Sequence, residues 1–111
     1  MPDMMRAHTR LPVNFHVTIF NGDKQVFGNA KNMSQGGIFV YAENPIQAGS
    51  LVKIRMYGNG GEKDADARVL RSYIDGSYYA TAIEFVGLTP EQESDMADFV
   101  LMNELPKQPR K

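Results

Sequence analysis

The chain has 111 residues and a net charge of −1, from 12 Lys and Arg against 13 Asp and Glu, and it contains neither Cys nor Trp. That length suits one domain with a core that needs no disulfide or structural metal, and the missing Cys excludes thiol catalysis and thiolate metal sites. The balanced charge argues against a long nucleic-acid partner. The longest apolar run, residues 38–42, is far short of the ~18 residues a membrane-spanning helix needs.

Residues 1–6 lack the apolar stretch of a signal peptide, so a cytoplasmic protein without membrane insertion is expected. Charge is uneven along the chain. Residues 1–60 carry six basic and three acidic side chains, a balance of +3, whereas residues 61–111 carry six and ten, a balance of −4.

An N-terminal arm over residues 1–12 precedes the first periodic segment. From Val13 the pattern has period two: Val13, Phe15, Val17 and Ile19 alternate with Asn14, His16 and Thr18, as in a half-buried strand. Asn21-Gly22 marks a tight hairpin, and a second strand runs from about Lys24 toward Lys31. The glycine-rich 34–37 follows, then a short strand over 38–42. Asn44-Pro45 and Gly49 punctuate the next turn. In 51–57, Val52, Ile54 and Met56 fall on one side, with Lys53, Arg55 and Tyr57 on the other. Strands over about 64–74 and 78–86 join through Asp75-Gly76, a further hairpin signal.

The period then changes. Thr89-Pro90-Glu91-Gln92 reads as a helix start, with Thr as N-cap, Pro at the first helical position and Gln three residues after the cap. Met96, Phe99, Val100 and Asn103 share one helical face, whose first three members should pack on the sheet, and the helix should end near Leu105-Pro106. Residues 106–111 form a basic tail. Six strands with short antiparallel connections and one terminal helix imply a mainly β protein: a six-stranded antiparallel β-barrel with a C-terminal α-helix over residues 13–105, in which the sheet closes on itself and removes its exposed edges.

Little here suggests catalysis. His16 lies on a polar strand face with no Ser or carboxylate at a useful spacing. Asp64 and Asp66 point the same way from one strand, which an exposed charged face explains as well as a cation does. No phosphate-binding glycine loop, HExxH or EF-hand pattern is present. The expectation is therefore no enzyme, no metal and no cofactor.

Two motifs do carry binding chemistry. Arg6-Ala-His-Thr-Arg10 is an RxxxR whose arginines, in an extended arm, face one side with backbones about a dozen ångströms apart. Guanidinium groups grip phosphate and the O6/N7 edge of guanine in a forked manner, and they stack on purines. Asn32-Met33-Ser34-Gln35-Gly36-Gly37 is an NxSxxG. It offers two short polar groups to one face, and its glycines permit positive φ and close backbone approach to a ligand.

Together, and in this order within a chain of six strands and a helix, these motifs resemble the PilZ domain family, bacterial receptor modules for the second messenger cyclic di-GMP. The likeness runs from Met5 to about Glu104. It includes Thr81-Ala82-Ile83-Glu84-Phe85, similar to the family's hydrophobic-Gly-hydrophobic-x-Phe, although Ala82 stands where Gly is frequent. Met5 stands where many relatives carry another basic residue, which bears on how many ligand molecules stack in the site.

The resemblance implies that Arg6 and Arg10 engage guanine edges and phosphates, and that Asn32 and Ser34 hydrogen-bond guanine and phosphate. Gly37 would keep the turn open, with Gly36 and Met5 as lesser neighbours of the ligand. The arm would order on binding and signal to an effector protein in motility, adhesion or biofilm control, from a monomer or weak dimer. Two other readings are a PilZ-like adaptor that binds no nucleotide and a small barrel for single-stranded nucleic acid. The latter would use Phe20, Phe39, Tyr41 and Tyr57, but the chain lacks a basic track to accompany them.

Overall fold

The alternation that begins at Val13 becomes a strand with its even-numbered side chains outward, and the same logic repeats along the chain. The computed structural model describes residues 9–106. Six strands, β1 (Leu11–Asn21), β2 (Lys24–Ser34), β3 (Gly37–Ala42), β4 (Leu51–Gly58), β5 (Gly61–Asp75) and β6 (Tyr78–Phe85), precede the helix α1 (Pro90–Asn103). All pairings are antiparallel, and the sheet closes in a ring of order β1-β2-β3-β6-β5-β4. Closure leaves no unpaired edge strand among the described residues. The expected strands are all present, and β1 starts two residues earlier than the periodicity indicates, because Leu11 and Pro12 already pair with Met33 and Asn32.

The inward side chains form one core. Val13, Phe15, Val17 and Ile19 of β1 meet Val52, Ile54 and Met56 of β4, with Ile38 and Val40 of β3 and Ile83 of β6. The hairpins β1–β2 and β5–β6 turn at Gly22 and Gly76, with φ of 65° and 66°. Each glycine is the first central residue of a two-residue loop, the position where a II′ turn requires positive φ. Asn21 and Asp75, which the dipeptide signals suggest as turn residues, are instead the last paired residues of their strands.

The helix begins as its sequence indicates. Thr89 Oγ1 accepts from the Gln92 amide at 3.1 Å while Gln92 Oε1 accepts from the Thr89 amide at 2.9 Å, a reciprocal capping box. It stops at Asn103, slightly before the expected Leu105-Pro106. Met96, Phe99 and Val100 are buried, and the Phe99 ring meets Phe15 edge-on with centroids 5.4 Å apart. Asn103, expected at the border of this face, is itself buried and serves as a clamp. Its Oδ1 accepts from the Asn59 amide at 2.7 Å, and its Nδ2 donates to the carbonyls of Asn59 at 3.0 Å and Phe99 at 2.9 Å. A Cβ on Gly58 would lie 2.5 Å from Asn103 Oδ1, so a larger residue there would push the Asn103 amide out of this clamp. The Leu105 amide then donates to the Pro12 carbonyl at 2.9 Å, tying the chain after the helix to the start of β1.

Candidate ligand site

Described residues of the two candidate motifs meet where β1 begins and β2 ends. Pairing of Pro12 with Asn32 brings the chain just before β1 beside the end of β2, and Arg10 Nη1 donates to Asn32 Oδ1 at 2.9 Å. Both strands depart from regular register here, β1 between Pro12 and Phe15 and β2 between Ala30 and Asn32. Such irregularities bend a strand and re-aim its side chains. Arg10 is exposed and Asn32 half-buried, so the guanidinium and the amide are both accessible to a ligand. Met5, Arg6 and His8 lie outside the described residues.

Ser34 and Gly37 are the last pair of the β2–β3 hairpin, with Gln35 and Gly36 as its loop. Ser34 is only 5% exposed, and its hydroxyl accepts from the Gly36 amide at 3.2 Å. A hydroxyl so placed braces the turn, and its hydrogen remains to be donated elsewhere. The Gly36 carbonyl accepts from the Phe85 amide at 2.9 Å, which joins the turn to the end of β6.

The expectation that Gly36 and Gly37 use positive φ is corrected, since neither lies in the left-handed region. Gly37 is instead required by proximity: it pairs with Glu84, and a Cβ there would stand 2.6 Å from the Ile83 carbonyl oxygen. It holds β3 against β6 rather than keeping the turn open.

The register also aligns residues that no sequence motif connects. Asn32 pairs with Phe39, Phe39 with Ala82, and Ala82 with Arg71. Cross-strand partners share a face, so an exposed arginine 39 positions from Asn32 in the chain belongs to the same row. Spacing contains no signal for it. Ala82, a departure from the family's Gly, is 4% exposed in this row. Asp64, one of the two carboxylates considered for a cation, is occupied otherwise. Its oxygens accept from Arg55 Nε at 2.8 Å and Nη2 at 3.0 Å, and this hydrogen-bonded guanidinium holds the carboxyl below the usual aspartate range. Among the described residues no cluster of three or more His, Asp or Glu is arranged for a metal.

Comparison with known proteins agrees with this architecture. The family model of the PilZ domain matches residues 5–102, and the chain belongs to that family, whose members are receptor and adaptor modules rather than enzymes. Among solved structures it resembles the PilZ domain with c-di-GMP of YcgR from Escherichia coli, with a TM-score of 0.73 and 18% identity over 86% of this chain and 88% of that one. It is also similar to the PilZ domain of CeSA from a cellulose-synthesizing bacterium, with a TM-score of 0.67 and 26% identity over 84% and 95%. The inhibitor of motility MotI/DgrA from Bacillus subtilis matches with a TM-score of 0.70 and 16% identity, over 86% of this chain and 49% of that longer one. No curated protein matches the chain in sequence. No helix among the described residues is long and apolar enough to cross a membrane.

Proposed function

We propose that this protein is a cytoplasmic, non-catalytic receptor for cyclic di-GMP that passes ligand occupancy to a partner protein. The observation that carries the reading is the 2.9 Å contact between Arg10 and Asn32, members of two motifs 22 residues apart. Arg10 supplies forked donors for guanine and phosphate, and Asn32 supplies an amide for a base edge. The Ser34 hydroxyl hydrogen and the Gly36–Gly37 backbone complete the polar rim. Binding exchanges the Arg10–Asn32 hydrogen bond for contacts to the ligand, which ties the arm carrying Arg6 to the ring and remodels a surface that a partner can read. The YcgR PilZ domain solved with c-di-GMP and the motility inhibitor MotI/DgrA support a ligand of this kind and an output in motility or related behaviour.

Calorimetric titration tests it. Cyclic di-GMP should bind, with GTP and cyclic AMP far weaker. Arg10→Ala should lower affinity by about ten-fold or more, the loss expected for a charge-assisted hydrogen bond. Absence of heat with the wild-type protein, or unchanged affinity in Arg10→Ala, overturns the reading.

A further inference from the structure

The outer face of the ring has a second concave feature, beside the Arg10–Asn32 site and composed of different residues. A groove of about 500 Å³ crosses β4, β1, β2 and β3 on their solvent side and reaches Tyr78 at the start of β6, within the range of small-molecule sites. Gly28 is part of its lining. A Cβ there would stand 2.7 Å from Val40 Cγ1 and 2.8 Å from the Tyr41 carbonyl oxygen, so β2 and β3 approach at this point more closely than any side chain allows.

Aromatic rings wall the groove. Phe27, Tyr57 and Tyr78 are 50%, 39% and 48% exposed, and Tyr41 lies nearly parallel to Tyr78, at 13° with centroids 6.3 Å apart. Isolated exposed aromatics need no explanation, but several converging on one concavity do. Two of these rings are oriented through their hydroxyls: Tyr57 shares a 3.3 Å hydrogen bond with Thr18, and Tyr41 donates to Asp75 at 3.3 Å. The neighbouring Asp75 carboxylate also raises the Tyr41 phenol above its ordinary value, through its negative charge and the hydrogen bond it accepts. Phenols tethered at their edges present their faces at little entropic cost.

The charges complete the pattern. Lys31 Nζ stands 5.5 Å from the Tyr41 ring centroid, and Lys31 forms no salt bridge among the described residues. His16 on β1 and Glu43, just past β3, contribute polar rims. A planar base stacks on tyrosine faces whatever its sequence context, a lysine ammonium binds phosphate, and a carboxylate accepts from the N–H groups of a purine edge.

We propose that this groove is a second ligand site, for a purine mononucleotide, with its base stacked on Tyr41 and Tyr78 and its phosphate on Lys31. It is separate from the Arg10–Asn32 site and does not depend on the cyclic di-GMP reading. The probes are GMP, AMP and ribose 5-phosphate, followed in two-dimensional NMR spectra of the whole protein. GMP or AMP should shift the backbone amides of residues 27–31 and 41–43 and the ring protons of Tyr41 and Tyr78, while ribose 5-phosphate should leave the rings unmoved.

Lys31→Ala and Tyr41→Leu should each weaken mononucleotide binding by about five-fold or more, whereas Arg10→Ala should leave it within two-fold. No shift with millimolar GMP and AMP, or shifts confined to residues 32–37, overturns the proposal. Equal losses in Arg10→Ala and Lys31→Ala also overturn it, because the groove would then belong to the first site. Cyclic di-GMP titrated into Lys31→Ala separates the two claims: retained dinucleotide affinity with lost GMP binding upholds both sites as distinct.

Discussion

The described motif residues at the candidate ligand site do different physical jobs. Arg10 and Asn32 are accessible donors and acceptors held together by one hydrogen bond, so a ligand that satisfies both replaces their mutual contact without leaving a buried group unpaired. Ser34, by contrast, is nearly buried and braces the hairpin through the Gly36 amide. Gly37 is pinned by the Ile83 carbonyl oxygen, which would meet a Cβ at 2.6 Å. Gly37→Ala should therefore destabilise the fold by about 1–3 kcal/mol through overpacking, read as a lowered urea midpoint, rather than act on the ligand alone. Unchanged stability would show that β6 yields at this point at no cost. The residue identities of both motifs were legible in the chain, but the reason for Gly37 was not, since its neighbour lies 46 positions away.

At the scale of elements, the terminal helix shows how local and distant determinants divide. Its start is written in Thr89-Pro90-Glu91-Gln92, and its buried face in the spacing of Met96, Phe99 and Val100. What anchors its far end is Asn103, whose amide spans the helix and the β4–β5 turn through Asn59. Truncating it leaves the Asn59 amide and the Phe99 and Asn59 carbonyls without this partner. Asn103→Ala should cost about 1–3 kcal/mol, and hydrogen exchange should quicken in the last turn of α1 and around Asn59 while the centres of β1 and β4 stay protected. Uniform loss of protection throughout the chain would show that the helix and the ring unfold as one unit.

At the scale of the molecule, six strands close in a ring whose inner face is apolar, so its ionic contacts lie outside. The forked Arg55–Asp64 contact joins β4 to β5 on that exterior. Because Arg55 holds the Asp64 carboxyl below its ordinary value, the contribution to stability is complete above the unfolded-state pKa of about 3.9 and is lost as pH falls through the lower folded-state value. The difference in urea midpoint between wild type and Asp64→Asn should stay level from pH 7 to about 5 and shrink below about pH 4. A difference that persists to pH 2 would rule out the carboxylate as its source. The whole-chain charge of −1 conceals an uneven distribution, +3 over residues 1–60 against −4 over residues 61–111.

The sequence by itself determined the strands, the capped helix, the core faces of β1, β4 and the helix, and the residues of the candidate binding motifs, because alternation, helical spacing and capping are local properties of neighbouring residues. Only the tertiary structure decided the register: Asn32 in a row with Phe39, Ala82 and Arg71, Gly37 against Ile83, and Tyr41, Tyr57 and Tyr78 converging from three strands on one groove. Register arises from packing between segments tens of residues apart, and it depends on bulges that shift one strand against another. No local pattern encodes which outward-facing side chains will meet.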